Sequence, residues 1–341
     1  MNEVASEPAF ASAVFMVRPG VFAANAETAE SNAFQARADE VAPSHALLSS
    51  AQREWDDLRS ALVTAGVEVV WVRDEPEEVA PRDGRAFQPD DRGVDGRGLD
   101  DRSPDGRSPD ACFPNNWFTT HADGRLVLYP MESPTRRREV RLDFVDRIVE
   151  AVGARQVIDM RVHGRTGRFL EGTGSLIPDR ERRVVFAALS SRTDRDLLEE
   201  WCQRFGYRAV AFRTHLLGAP IYHTNVCLAL GPSVALAGLD AVPDADERAT
   251  LTAELEAGGR EIVPLDEGDL VAFCGNVLFL RDRTGGGVWA MSARAAERFG
   301  PQRLARLEKD GRVIARDVST IERVGGGGVR CMLAELFGRT T

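Results

Sequence analysis

The stretch GGGGVRCML, Gly325 to Leu333, runs four consecutive glycines straight into a cysteine. Glycine loses the most backbone freedom on folding, so an ordered run of four needs a physical reason. A linker would continue into polar residues. This run instead enters Cys331-Met332-Leu333-Ala334-Glu335-Leu336-Phe337, which reads as the start of an apolar helix or strand. The alternative to a linker is a thiol that main-chain N–H groups approach closely, where a helix N-terminus and Arg330 would lower the thiol pKa. Taken alone, Cys331 is equally well explained as a buried structural cysteine, since thiols are among the most buried side chains.

Three upstream motifs bear on that choice. Tyr222-His223-Thr224-Asn225-Val226 leads into an apolar strand, and an imidazole near a thiol is the usual means of activating it, although a lone histidine at a strand entry is more often structural. Phe169-Leu170-Glu171-Gly172-Thr173-Gly174-Ser175 places one carboxylate among apolar and glycine residues, where it needs a cation or a hydrogen-bond partner. As a phosphate cradle this segment is weak, for it has no Walker lysine and no complete GxGxxG. Asp110-Ala111-Cys112-Phe113-Pro114-Asn115-Asn116-Trp117 sets adjacent amides in an aromatic stretch, offering donors and acceptors to a neutral polar ligand. A Pro-Asn-Asn turn is the plainer explanation.

Composition limits the function classes. Hydrophobic residues make up 43% and charged residues 28% of 341, ordinary for a globular chain with a sizeable core. That length suits about two domains of roughly 150 residues, or one barrel or propeller. A net charge of -10 opposes a phosphate-coating surface, and no apolar run reaches the length of a membrane span, so neither nucleic acid nor membrane is an expected partner. The N-terminus carries no basic-then-apolar leader pattern, which points to the cytoplasm. The five cysteines are widely spaced without a CxxC pair, so no zinc site or redox couple is expected.

Alternating segments predict a mixed α/β fold. Strands are expected at 13–17, 67–71, 125–129, 184–189, 226–230 and 276–280. Helices are expected where Leu47, Leu48, Ala51, Trp55, Leu58 and Leu62 recur, where Val145, Ile148, Val149 and Val152 recur, and at Leu197, Leu198, Trp201 and Phe205. Residues 75–110, rich in Asp, Arg, Gly and Pro, predict a disordered surface insertion, with a lid as the alternative.

In order along the chain, Phe113-Pro114-Asn115-Asn116-Trp117, Leu170-Glu171-Gly172, His223-Thr224-Asn225 and the glycine-led Cys331 resemble the guanidine-modifying superfamily of arginine deiminases, dimethylarginine hydrolases and amidinotransferases. Within it the chain looks most like the citrulline-utilization hydrolase type. Met16-Val17-Arg18-Pro19, Asn25, Glu27-Thr28, Asn32 and Phe34-Gln35 resemble the same branch, so the resemblance runs from about Val14 to Phe337, with the insertion as the main departure.

The resemblance implies one pentein-type α/β-propeller of pseudo-fivefold symmetry over residues 1–341, with the active site in its central channel. It implies Cys331 as nucleophile, His223 as general acid and base, and Glu171 as the carboxylate that orients the histidine or contacts the substrate nitrogens. Asn115, Asn116, Asn225, Asp110, Arg192, Arg138 and Arg18 become candidate substrate-binding residues, the arginines for an α-carboxylate. The reaction implied is hydrolysis of a C–N bond in a small ureido or guanidino amino acid, citrulline to ornithine first, without metal or cofactor. The deiminase branch has aspartates where Asn116 and Asn225 stand, and two amides would leave a buried guanidinium unpaired while suiting a neutral ureido group. Arginine deiminase, dimethylarginine hydrolase and amidinotransferase are the alternatives, and a silent propeller that only binds is the rival from another class. Assembly into a homo-oligomer stays open.

Overall fold

The computed structural model describes residues 7–29, 31–37, 39–41, 43–75 and 107–338. The expected amphipathic segments form helices α1 (His45–Thr64), α2 (Leu142–Val152) and α3 (Arg195–Phe205), and two more, α4 (Ala245–Ala257) and α5 (Ala293–Leu307), complete a set of five. Each buries one stripe, as Ala51, Trp55, Leu58 and Leu62 do in α1. In α5, Gly300 and Pro301 break the helix into two pieces.

Each helix joins two parallel strands, the crossover that a parallel pair requires. In chain order the strands are β1 (Ala13–Arg18), β2 (Glu68–Arg73), β3 (Phe118–Thr120), β4 (Arg125–Leu128), β5 (Gln156–Asp159), β6 (Ile177–Asp179), β7 (Val184–Leu189), β8 (Arg208–Arg213), β9 (Leu228–Leu230), β10 (Val234–Ala237), β11 (Glu261–Pro264), β12 (Leu278–Arg281), β13 (Gly287–Ser292), β14 (Arg312–Arg316) and β15 (Ala334–Leu336). They make five three-stranded sheets of one design: a short strand, antiparallel to a central strand, which is parallel to the strand after the helix. The first sheet is closed by the other end of the chain. Its central strand β1 pairs antiparallel with β15, so the C-terminus supplies the strand that the N-terminus lacks.

The short strands β3, β6, β9, β12 and β15 lie at the centre, where β15 touches β3, β6 touches β9 and β9 touches β12. Thr120 seals the first of these contacts, its Oγ1 accepting from Phe337 N at 2.7 Å and donating to Glu335 O at 3.2 Å. This is the α/β-propeller of pseudo-fivefold symmetry that the resemblance implies. Two expected strands start late: Thr224–Val226 form a 3-10 turn before β9, and Asn276 and Val277 precede β12. The reason is positional, since these residues turn into the centre before the strand begins. The chain after Cys331 continues as the strand β15. Of the expected insertion at 75–110, residues 76–106 lie outside the described residues. No helix among the described residues is long and apolar enough to cross a membrane.

Candidate active site

Five short segments, each just before an innermost strand, converge at one end of the centre: Pro114–Asn116, Gly172–Ser175, Thr224–Val226, Asn276 and Val329–Met332. The last positions Cys331, and the glycine run before it is ordered by contact. A Cβ on Gly325 or Gly327 would come within 2.9 Å of the Phe113 ring, and one on Gly328 within 2.8 Å of Asn276 Oδ1. Gly326, at φ 68, has the left-handed backbone that glycine tolerates, and a Cβ there would lie 2.5 Å from Asn32. The run is no linker: it lets the chain pass between side chains with no room to spare.

Cys331 is buried. Asn276 Nδ2 lies 3.2 Å from its sulfur and Asn225 Nδ2 lies 3.7 Å from it. Burial pushes the thiol above its ordinary value, and the Asn276 hydrogen bond, Arg330 and Arg136 pull it only partway back. The sequence-based expectation of a lowered thiol pKa is therefore overturned. No helix begins at Cys331, and the Arg330 guanidinium is spent on Leu333 O and Glu335, both at 2.8 Å.

His223 Nε2 faces Glu171 Oε2 at 2.8 Å, both residues fully enclosed. Burial alone would raise the Glu171 carboxyl, but Arg192, the His223 contact and Arg136 outweigh it and hold it at about 2. Burial lowers His223 to about 4 against the upward pull of Glu171. An ionised carboxylate only accepts, so the imidazole proton sits on Nε2 and Nδ1 is the free basic nitrogen. Gly174 makes room for it, since a Cβ there would stand 2.8 Å from His223 Nδ1 and 2.4 Å from Asn116 Nδ2. Glu171 also accepts from Glu132 N at 2.8 Å, which fixes it independently of the histidine.

A small cavity opens over these groups, and Thr28, Asn32, Asp110, Phe113, Asn116, Arg136, Arg192, Tyr222, His223, Gly325 to Gly327 and Cys331 line it. Arg192 is buried in its wall, bonded to Ser31 Oγ at 2.6 Å and Glu132 Oε2 at 3.2 Å, with its guanidinium over the Tyr222 ring. Asp110 accepts from Asn25 Nδ2 at 2.8 Å on one oxygen and leaves the other without a partner. Asn225 does not line the cavity; its Nδ2 is the one 3.7 Å from the sulfur, and its Oδ1 is unpartnered. Asn115 is likewise off the wall, its Nδ2 turned to Thr173.

The arginine run delivers a different member from the one the sequence suggested. Arg136 is the residue in the wall, bonded to Glu139 through two nitrogens and to Asn116 Oδ1 at 2.8 Å, while Arg138 is half-buried and does not line the cavity. Three successive arginines look alike in a sequence, and the phase of the single helical turn Pro134–Arg137 decides which points inward. Arg18 is away from the cavity, paired with Asp56 at 2.9 Å. Asn276 escaped the sequence reading because an asparagine before Val277-Leu278-Phe279-Leu280 looks like a strand entry. The signal was present, since Asn-Val also follows His223-Thr224.

A family model for N,N-dimethylarginine dimethylhydrolase, eukaryotic, matches residues 91–338. Among solved structures, the substrate-bound N-terminal domain of ArgZ, an arginine dihydrolase from the ornithine-ammonia cycle in cyanobacteria, superposes with a TM-score of 0.67 at 16% identity, over 96% of this chain and 99% of that one. The full ArgZ chain gives the same score at 17% identity, and there the match spans 41% of its length. A dimethylarginine dimethylaminohydrolase adduct with S-methyl-L-thiocitrulline follows at 0.58 and 15% identity, over 96% and 99% of the two chains. A search of curated proteins finds no match.

Proposed function

The chain belongs to the N,N-dimethylarginine dimethylhydrolase family, hydrolases of C–N bonds within the guanidine-modifying pentein superfamily, and from that premise we propose that it hydrolyses a ureido amino acid, citrulline, to ornithine, CO2 and ammonia. The observation that carries the choice of substrate is the orientation of Asn116. A guanidinium only donates, so Arg136 fixes Asn116 Oδ1 toward itself and leaves Nδ2 of this cavity-lining residue as a buried donor without a partner, packed against Gly174. A ureido carbonyl oxygen accepts from such a donor; a guanidinium meets it donor to donor. Beside the sulfur, Asn225 adds no charge that could compensate a cation.

The chemistry follows from the same atoms. His223 Nδ1 takes the Cys331 proton as the sulfur forms a bond to the ureido carbon, and Asn116 steadies the developing oxyanion. His223 returns that proton to the departing nitrogen, the C–N bond breaks and ammonia leaves a thiocarbamoyl adduct on Cys331. Water, deprotonated by His223, attacks the adduct, the C–S bond breaks, and the released carbamate loses CO2 to give ornithine. Glu171 keeps the imidazole oriented and stabilises its cationic form. Arg192, with Arg136 beside it, suits the α-carboxylate, and the free oxygen of Asp110 suits the α-ammonium group.

That same oxygen supports a second reading. Asp110 is the one carboxylate among the described residues lining the cavity, and a guanidinium seated there would make the substrate arginine or a methylarginine. Ornithine release measured for citrulline, arginine and dimethylarginine under matched conditions separates the two. We expect kcat/KM for citrulline to exceed that for arginine by orders of magnitude; equal turnover of arginine replaces the first reading by the second.

A further inference from the structure

We propose that Asn276 is a positioning residue for Cys331, holding an amide N–H on the sulfur so that the thiolate forms and returns at one place. Its side chain is clamped by two main-chain groups. Nδ2 donates to Asn225 O at 3.0 Å, and Oδ1 accepts from Cys331 N at 3.4 Å. A carbonyl oxygen only accepts and a main-chain N–H only donates, so these partners alone settle which end of the amide is which. The second Nδ2 hydrogen is then left for the sulfur 3.2 Å away, closer than the 3.7 Å contact from Asn225. An acceptor there is best satisfied when it is an anion.

The surroundings are shaped for this contact. Gly328 has no Cβ where one would stand 2.8 Å from Asn276 Oδ1, and Gly275 has none where one would stand 2.1 Å from Val226 O. Asn276 thus ties the turn carrying Asn225 to the turn carrying Cys331. It does not line the cavity, so it acts on the substrate only through the sulfur. The thiol is buried and raised, and the Asn276 hydrogen bond is the foremost influence opposing that rise.

The inference rests on Cys331 being the nucleophile, and the test keeps the two apart. In the full-length protein without substrate, the rate of iodoacetamide alkylation at the Cys331 peptide is followed by mass spectrometry against pH, for wild type, Asn276→Ala and Asn276→Asp. Asn276→Ala should move the midpoint up by about one pH unit, a roughly tenfold slower alkylation below it, with the high-pH plateau retained. Asn276→Asp keeps the shape and the acceptor for Cys331 N but replaces the donor by a carboxylate, so its midpoint should rise further. In turnover, the Asn276→Ala deficit should shrink as pH rises. Unchanged midpoints, or a loss of rate equal at every pH, would overturn the assignment. Should the alanine variant fail to fold, the near-isosteric aspartate variant decides alone. Turnover surviving in Cys331→Ser would instead remove the nucleophile reading, leaving the Asn276 midpoint shift as a separate result.

Discussion

At the scale of single residues, the site works by fixing which atom of a two-faced group points where. Arg136 turns Asn116 so that its Oδ1 accepts and its Nδ2 is left a donor without a partner, Glu171 puts the His223 proton on Nε2, and two main-chain groups orient Asn276. Charge follows the same logic. At neutral pH the buried thiol is raised and His223, at about 4, is neutral, so neither resting partner carries charge into a desolvated space. Asn116→Asp tests this arrangement directly. The carboxylate would still face Arg136 but would offer the ureido oxygen an acceptor instead of a donor. Steady-state assays should show kcat/KM for citrulline falling on the order of 10- to 100-fold, from the loss of one buried hydrogen bond and the repulsion that replaces it. The ratio of arginine to citrulline turnover should rise, and an unchanged citrulline rate would show that Asn116 does not touch the reacting group.

At the scale of elements, the glycine run is held by the short helix before it. This helix, α6 (Ser319–Gly325), is capped from α1: Glu54 accepts from Thr320 N at 2.9 Å and Ile321 N at 3.0 Å. Glu322 within α6 is buried, with one oxygen unpartnered and Arg294 only at 4.0 Å. Burial raises its carboxyl to about 7. Because the folded value lies above the unfolded one, the stability associated with this group is complete below pH ~4.5 and is lost as pH rises through about 7. Glu322→Gln, which cannot ionise, should melt close to wild type at pH 4.5 and higher than wild type at pH 8, by about 1–3 kcal/mol in calorimetry. A lower melting temperature at pH 8 would mean that the charged carboxylate is the stable form. Elements also mark what a sequence shows. Val184–Leu189 and the α1 stripe were legible because long apolar periodicity has few meanings. Phe118–Thr120 and Ile177–Asp179 were not, since three residues carry no period and their order comes from neighbouring sheets. The proposed catalytic trio, Cys331, His223 and Glu171, stood out as motifs. Arg136 and Asn276 did not, because their roles depend on helical phase and on a turn supplied by another part of the chain.

At the scale of the whole molecule, a ring of five sheets must be closed, and here both ends of the described chain meet at Arg180. This residue follows β6, lies buried, stacks over the Phe337 ring next to β15, and donates to Glu7 at 2.8 Å. Glu7 also accepts from Tyr207 Oη at 3.1 Å and faces His121, beyond β3, at 3.5 Å. One carboxylate thus bridges the second and third sheets while β15 completes the first. Burial pushes the Glu7 carboxyl upward, but the His121 contact, Arg180 and Tyr207 prevail and set it at about 2. The folded value is below the unfolded one, so this stability is present above pH ~4.5 and is lost as pH falls toward 2. Glu7→Gln keeps the size of the side chain and leaves Arg180 without its buried counter-charge, a change that costs on the order of 3 kcal/mol in comparable pairs. We expect its melting temperature to fall below wild type at pH 7 and the gap to narrow steadily between pH 5 and pH 3, because wild type loses the same interaction by protonation. The candidate active site lies at the entry to the innermost strands, away from this cluster beyond their far ends, so kcat at 25 °C should be unchanged. Equal melting at pH 7, or a gap that does not shrink in acid, would show that the ring is closed by β15 without help from the N-terminal segment.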